Sequence, residues 1–207
     1  MKCSRTFSCP IAAPLLGLLV FVTVARAEDS LLPNGGMESW QPQTLRGFAP
    51  ETGGVLPEGW TVKQENPPEA GNGHVSQDSE IKKDGDSSLR IENRSAEQSI
   101  SAVCDLIPIT PGQKYLLSGY LRGENLNEPL TEEAGILVFF NQGTAEGSGT
   151  KLKSALKRLP LFGTFDWEYF EIPILADADS DRLRVALQLR KVEGVVWVDD
   201  LRVVPQP

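Results

Sequence analysis

The sequence predicts an all-β protein, a two-sheet antiparallel β-sandwich, on three observations. Apolar and polar residues alternate along several segments, most clearly at 114–122 and 183–190, as they do in strands that bury one face. Turn residues such as those at 110–113 separate these segments. No segment shows the helical period of about 3.6 residues over three turns. Strands joined by turns, without helices, favour a sandwich of two packed sheets.

Residues 1–27 are predicted to be a signal peptide. A basic start and an apolar stretch at 11–24 precede a cleavage site of small residues at 25–27. The apolar stretch is short for a bilayer span. Cleavage there leaves residues 28–207 as a single domain, and we expect an exported protein that is periplasmic, attached to the cell surface or extracellular.

The charge balance restricts the classes of partner. The full chain carries 20 basic and 28 acidic residues, and without the signal peptide it carries 17 basic and 28 acidic residues, a formal charge of −11. Such a charge disfavours nucleic acid and anionic membranes as partners. It suits cations and neutral ligands such as sugars, and we expect no insertion into a membrane.

One cysteine and two tryptophans indicate how the domain is stabilised. Cys104 is the only cysteine outside the signal peptide, so no disulfide within the domain is available, and we predict a small buried hydrophobe there. Stability then depends on packing or on a bound ion. Trp40 and Trp60 follow turn residues in the loop-rich segment 28–74, and we predict that they anchor this segment to the core.

The remaining segments follow in chain order. A turn at 82–86 predicts a hairpin that leads into a half-exposed strand. Residues 143–159 are rich in glycine, serine and lysine, which predicts either a mobile loop or a short helix at 152–158. Strands are predicted at 88–92, 100–109, 114–122, 135–141, 165–173, 183–190 and 194–204.

The last strand contains two adjacent carboxylates, Asp199 and Asp200, within an apolar run. Because successive side chains point to opposite faces of a strand, one of the two must approach the core. A buried carboxylate needs a cation or several hydrogen-bond donors around it. The sequence therefore predicts one or the other at this strand.

Five short motifs follow one another along the chain. They are PNGGME at 33–38, PEGW at 57–60, DGDSSLRI at 84–91, PGQKYLLSGYLR at 111–122 and VWVDDL at 196–201. The series resembles the carbohydrate-binding modules of families four, nine and twenty-two, which share a galactose-binding-domain-like jelly roll. The resemblance covers essentially all of residues 28–207. It implies that fold and the non-catalytic binding of a polysaccharide or oligosaccharide, with a neutral glycan as partner.

The resemblance also implies a structural calcium ion where the first strand, the glycine hairpin and the last strand meet. Calcium takes about six to eight oxygen ligands with loose geometry. The matching positions are Glu38, the carbonyls around Lys83 to Asp86, and one of Asp199 or Asp200, of which we assign Asp200. The alternative is an aspartate pair that only accepts backbone hydrogen bonds.

In such modules, sugar rings stack on aromatic side chains and are oriented by polar ones. The strand register predicts an outward face with one aromatic side chain and several polar groups. Its members are Tyr120, Arg122, Asn141, Arg184, Gln188 and Arg190. A solvated sheet face exposes the same kinds of residue. The alternative function is therefore a structural or adhesion module with the same fold, a protein partner at the cell surface and no sugar site.

No catalytic site is expected. His74 is the only histidine in the sequence, so a Ser-His-Asp hydrolase has no further support. Glu132 and Glu133 are adjacent, and adjacent side chains of an extended chain point apart, which does not suit a pair of glycosidase carboxylates. We predict a binding protein and not an enzyme.

Overall fold

The computed structural model describes residues 30–42, 55–65, 73–144 and 153–207, and the predicted signal peptide lies outside these residues. Their regular structure consists of β-strands. The strands are β1 (Trp40–Pro42), β2 (Val55–Pro57), β3 (Trp60–Glu65), β4 (Gly73–Asp78), β5 (Ser88–Asn93), β6 (Ser99–Cys104), β7 (Ile107–Pro108), β8 (Lys114–Leu126), β9 (Gly135–Gly143), β10 (Lys153–Leu159), β11 (Gly163–Leu175), β12 (Arg182–Arg190) and β13 (Gly194–Pro205). None of the described segments is a helix, so none offers a helical membrane span.

The strands form two antiparallel sheets that share one hydrophobic core. The six-stranded sheet has the order β10-β9-β12-β6-β3, with β7 beside β12. The five-stranded sheet has the order β11-β8-β13-β5-β4, and β1 and β2 pair separately. The predicted two-sheet antiparallel β-sandwich is confirmed, and so is the hairpin of β4 and β5 around residues 82–86.

The core forms where the inward faces of the two sheets meet. On β12 the inward side chains alternate with polar ones, as predicted, and Leu183 and Val185 are fully buried. Trp60 is 1% exposed, and its Nε1 donates to the Pro33 carbonyl at 3.1 Å, which confirms it as an anchor. Cys104 is buried as predicted, and its burial raises the pKa of the thiol to about 11. The thiol is therefore protonated at neutral pH and contributes packing.

Two predictions of secondary structure were wrong. Residues 153–159 form neither a loop nor a helix, because β10 pairs along its whole length with residues 136–142 of β9. This edge strand exposes most of its side chains on both faces, so it lacks the alternation that identifies half-buried strands. The segment 100–109 divides into β6 and β7, because Asp105 leaves the ladder and its N–H donates to the Gly59 carbonyl at 2.7 Å.

A bulge in β13 breaks the alternation predicted for the last strand. The pairing of β13 with β8 shifts between Asp199 and Arg202, and Asp200 takes a φ of 50°, which inserts one extra residue. Leu201 therefore returns to the core, and its N–H donates to the Gly35 carbonyl at 2.9 Å. A Cβ at Gly35 would collide with the Leu201 carbonyl oxygen, so the glycine of the PNGGME motif is required for this close approach.

Candidate functional site

Each sheet has an outer face turned away from the core, and the six predicted sugar-site residues are divided between these two faces. Tyr120 and Arg122 lie on β8 of the five-stranded sheet, whereas Asn141 on β9 and the β12 residues Arg184, Gln188 and Arg190 lie on the six-stranded sheet. The predicted single groove is therefore wrong. Strand periodicity shows which side chains turn away from the core, but not which sheet a strand joins.

We name the outward side chains of β10, β9, β12 and β6 the arginine face. The strand register places these side chains in rows that cross the sheet. The rows are Arg158–Leu137–Gln188–Ser101, then Leu156–Phe139–Ala186–Val103, and then Ser154–Asn141–Arg184. An apolar row that includes an aromatic ring thus lies between two rows with polar and charged groups.

The exposure of these rows differs between their centre and their edge. Gln188, in the neighbouring row, is 5% exposed. In the apolar row, Ala186 is 7% exposed, whereas Phe139 is half-buried and Leu156 is 53% exposed. The apolar row thus runs from a buried centre to an exposed edge. It offers an accessible apolar surface beside buried polar groups, the composition common in ligand sites.

Four buried polar atoms of the arginine face have no hydrogen-bond partner. They are the Nε atoms of Arg158, Arg184 and Arg190 and the Oε1 atom of Gln188. Gln188 uses its other amide atom, Nε2, to donate to Ser101 Oγ at 2.9 Å. Leaving a buried polar group unpaired costs about 1–3 kcal/mol, and native proteins pair almost all of them. Four such atoms on one face are therefore a feature that the rest of the described chain does not account for.

The structure also adds residues that the sequence analysis missed. Arg158 and Leu156 were missed because their strand was predicted as a loop or helix. Phe139 has the same orientation as the predicted Asn141, two residues away on β9. Residues two positions apart on a strand share a face, so the reasoning that placed Asn141 on this face could also have placed Phe139 there.

The outer face of the five-stranded sheet, which we name the tryptophan face, is built around Trp197. This side chain is 3% exposed, and the guanidinium carbons of Arg90 and Arg122 each lie 5.8 Å from its ring centroid. The indole Nε1 donates to Asp78 Oδ2 at 2.8 Å. Burial acts to raise the pKa of Asp78, but the hydrogen bonds from Ile81 N and from the indole outweigh it and lower the pKa.

Tyr120 and Arg122 have partners within the chain. Tyr120 contacts the ring of Tyr169, with centroids 5.4 Å apart and planes tilted by 56°, and the Lys83 ammonium lies 4.5 Å from its centroid. Arg122 stacks on Trp197 and lies 3.9 Å from an oxygen of the exposed Asp166. Two rings tilted in this way do not form a flat platform for a sugar.

Three of the four predicted calcium positions, Glu38, Lys83 and Asp86, lie close to Asp199 beside β13. We name Glu38, Asp199 and the turn 83–86 the acidic corner. Both carboxylate oxygens of Glu38 accept the Asp86 N–H, at 3.0 and 2.9 Å. Asp199 accepts the N–H of Lys83 at 2.7 Å. The assignment of Asp200 was wrong, since its carboxylate pairs with Arg202 at 2.8 and 3.1 Å. Asp199 lies on the same side of β13 as Trp197, since the bulge begins only after Asp199.

The acidic corner brings two carboxylates and several backbone N–H groups together. Burial raises the pKa of Asp199, and the negative charge of Glu38 raises it further, while backbone N–H groups offset part of the effect. Two carboxylates that repel each other beside one turn are oxygen ligands of the kind that calcium accepts. The alternative was that the aspartate accepts only backbone hydrogen bonds. Asp199 does accept three of them, from the N–H groups of Lys83, Asp84 and Asp200. The described residues contain no group of three acidic, histidine or cysteine ligands.

No protein-family model matches the sequence, and no curated protein matches it. Among solved structures, the enzymatically active domain of tailspike protein 4 from bacteriophage CBA120 is similar over 86% of this chain, with a TM-score of 0.60 and 11% identity. This chain spans only 22% of that tailspike chain. A family 4 carbohydrate-binding module is similar over 84% of this chain and 99% of its own, with a TM-score of 0.52 and 14% identity.

These similarities identify the fold. The chain has the β-sandwich of the family 4 carbohydrate-binding modules, which confirms the resemblance predicted from the five motifs at the level of fold. The sheets of the carbohydrate-binding module are matched over nearly its whole length. Function rests on the site itself, since one fold hosts many activities.

Proposed function

We propose that this protein is an exported, non-catalytic module that binds a polysaccharide or oligosaccharide on its arginine face. The observation that carries the proposal is the set of buried, unpartnered polar atoms of Arg158, Arg184, Gln188 and Arg190 beside the apolar row of Phe139 and Leu156. Sugars present hydroxyls at their rim and apolar C–H faces, so they can satisfy both halves of such a surface. The fold shared with a family 4 carbohydrate-binding module supports this proposal.

The proposal includes no catalysis. His74 lies exposed on the edge strand β4, and Glu132 is 99% exposed, so neither lies in a closed pocket. One similar structure is named an enzymatically active domain, and an assay for release of reducing ends from each bound glycan tests this part of the proposal. Glycan cleavage by the purified protein would contradict it.

We further propose a structural calcium ion in the acidic corner. Glu38, Asp199 and carbonyls of the turn 83–86 would hold the ion, which would neutralise the repulsion that raises the pKa of Asp199. The ion would join the N-terminal segment, the β4–β5 turn and β13. Its role is to stabilise the fold, since the corner lies on the opposite sheet from the arginine face.

The binding proposal is tested by affinity electrophoresis of the purified protein against a panel of soluble polysaccharides. The Phe139→Ala variant removes the aromatic ring of the arginine face, and we expect the dissociation constant to rise by roughly 5- to 150-fold, the range for loss of ring stacking. Tyr169→Ala is the matched control, since it removes an exposed aromatic ring from the tryptophan face. Equal losses for the two variants would contradict the assignment of the site.

The panel also decides between binding and the alternative function. A folded protein, verified by circular dichroism, that is retarded by no polysaccharide would overturn the proposal. The structural or adhesion function would then take its place.

A further inference from the structure

We propose that the arginine face selects an acidic polysaccharide whose sugars carry carboxylates, a polyuronate, and not a neutral glycan. This inference rests on the proposed function and names the chemical class of its ligand. Its basis is that one surface carries both kinds of unpartnered atom. These are the Nε donors of three arginines and the neutral amide acceptor of Gln188.

The donors are three guanidinium groups. Arg158, Arg184 and Arg190 each bury an Nε–H that has no acceptor in the structure. Arginine presents its N–H groups as a planar fork, which matches the two oxygens of a carboxylate and forms paired, charge-assisted hydrogen bonds. A sugar hydroxyl can accept one of these N–H groups, but it leaves the positive charge uncompensated. A carboxylate satisfies both requirements.

The protein's own carboxylates show where such a group would lie. Glu132 Oε2 lies 3.5 Å from Arg158 Nη1, and Glu133 Oε2 lies 3.9 Å from Arg190 Nη2. Both contacts use the outer nitrogens and leave each Nε without a partner. The two glutamates are 99% and 73% exposed, so they are weakly held and a ligand carboxylate can displace them.

Gly135 lies beside Pro129 and the guanidinium of Arg158. It pairs with Arg190 across the β9–β12 ladder, and a Cβ on it would lie 3.4 Å from Arg158 Nε. Its φ of 120° also lies where side chains are rarely tolerated. A glycine therefore leaves room for the buried Nε of Arg158 at this position.

The acceptor distinguishes a uronate from a simple anion. Gln188 is 5% exposed, and its Oε1 needs a hydrogen-bond donor that the described residues do not supply. A carboxylate or inorganic anion has no donor to offer, whereas a uronate ring carries hydroxyls as well as its carboxylate. One sugar of this class can thus satisfy Arg190 and its β12 neighbour Gln188 together.

The distance between the cationic groups favours a polymer. Arg184 and Arg190 are six residues apart on β12, which corresponds to about 20 Å along the strand. Ala186 and Phe139 lie between them in the apolar row. A single sugar cannot reach both ends, whereas a chain of uronates can place one carboxylate at each end and its C–H faces over the centre.

The test compares one polymer in two charge states. Polygalacturonate and the same polymer after chemical reduction of its carboxyl groups are titrated into the purified protein in a calorimeter, at low and at high salt. We expect the acidic form to bind at least roughly tenfold more tightly, the effect of one charge-assisted hydrogen bond. Arg184→Gln should reduce this preference, because Arg158 and Arg190 remain at the other end of the face. Glu132→Gln combined with Glu133→Gln should strengthen binding of the acidic form only, because the competing carboxylates are gone.

Each outcome separates this inference from the proposed function. Equal binding of the two forms, or of neutral glycans alone, would overturn the inference and leave the proposed function intact. Failure of a folded protein to bind any polysaccharide would overturn both. Dextran sulfate is the control for general attraction to polyanions. If it binds as tightly as polygalacturonate, the selection of carboxylates is wrong.

Discussion

The two outer faces of the sandwich use similar residues in opposite ways. On the tryptophan face, Arg90 pairs with Glu92 at 2.8 Å, and Arg122 stacks on Trp197. On the arginine face, the Nε atoms of Arg158, Arg184 and Arg190 have no hydrogen-bond partner. The described side chains of the tryptophan face thus pair with one another, whereas the arginine face keeps the unpartnered atoms on which the binding proposal rests. Satisfaction of polar groups, and not composition, separates the structural face from the candidate binding face.

The difference arises from neighbours two positions apart on a strand, which share a face. Arg90 has Glu92 as such a neighbour, and Arg202 has Asp200. The corresponding neighbour of Arg190 is Gln188, and Arg184 has no acidic residue at either of these positions. A strand that carries arginines without acidic neighbours on the same face is thus a signal that can be read from sequence.

The largest expected loss of stability comes from a substitution in the tryptophan face. Trp197→Ala empties a buried site between two arginines and leaves Asp78 without its indole donor, so unfolding in urea should lose about 3–5 kcal/mol. Trp197→Phe keeps a ring and removes only the donor, and its loss should be smaller. A loss below about 1 kcal/mol for Trp197→Ala would contradict the structural role of this face.

The next effect concerns the acidic corner. Asp199→Ala removes the acceptor of three backbone N–H groups and should cost about 1–3 kcal/mol. If calcium binds there, chelator lowers the melting temperature of the wild type and leaves that of Asp199→Ala unchanged. Asp200→Ala is the control, because Asp200 pairs with Arg202, and its response to chelator should match that of the wild type. If chelator leaves the melting temperature of the wild type unchanged, the proposal of a calcium ion is wrong.

A smaller effect depends on pH. The hydrogen bond from Arg94 holds the pKa of Glu92 below its ordinary value of 4.5, and Arg90 contributes in the same direction. A lowered pKa stabilises the fold above pH 4.5, and this stabilisation is lost as the pH falls through the folded pKa. Glu92→Gln should therefore weaken the dependence of the unfolding free energy on pH, by about 1 kcal/mol.

The control for Glu92→Gln is Asp166→Asn, whose carboxylate is 87% exposed and lies 3.9 Å from Arg122. This substitution should leave the pH dependence unchanged. Identical curves for wild type and Glu92→Gln between pH 3 and 6, a range of about one and a half units on each side of an ordinary glutamate pKa, would refute the prediction.

The smallest expected change in stability compares one arginine from each face. Arg184→Gln should change the free energy of unfolding by less than about 0.5 kcal/mol, because its Nε makes no hydrogen bond. Arg122→Gln on the tryptophan face should cost about 1 kcal/mol, since Arg122 stacks on Trp197. Equal losses measured by urea unfolding would show that the faces do not differ in this way.

Much of the fold was predictable because strands with one buried face carry a regular alternation. That signal assigned β12 correctly. The candidate site was only half predictable. Asn141, Arg184, Gln188 and Arg190 were correctly grouped on one sheet, but β10, an exposed edge strand without alternation, concealed Arg158.

The sequence by itself determined the strand pattern and the three motifs that meet at the acidic corner, since these depend on local periodicity and on turn residues. Only the tertiary structure decided that Tyr120 and Arg190 lie on opposite faces, because sheet membership depends on pairing between distant segments. It also decided that Asp199 enters the corner while Asp200 pairs with Arg202, because a bulge begins after Asp199. The positions of charged side chains relative to one another depend on such long-range pairing. The net negative charge of the chain therefore did not indicate that one face is rich in arginine.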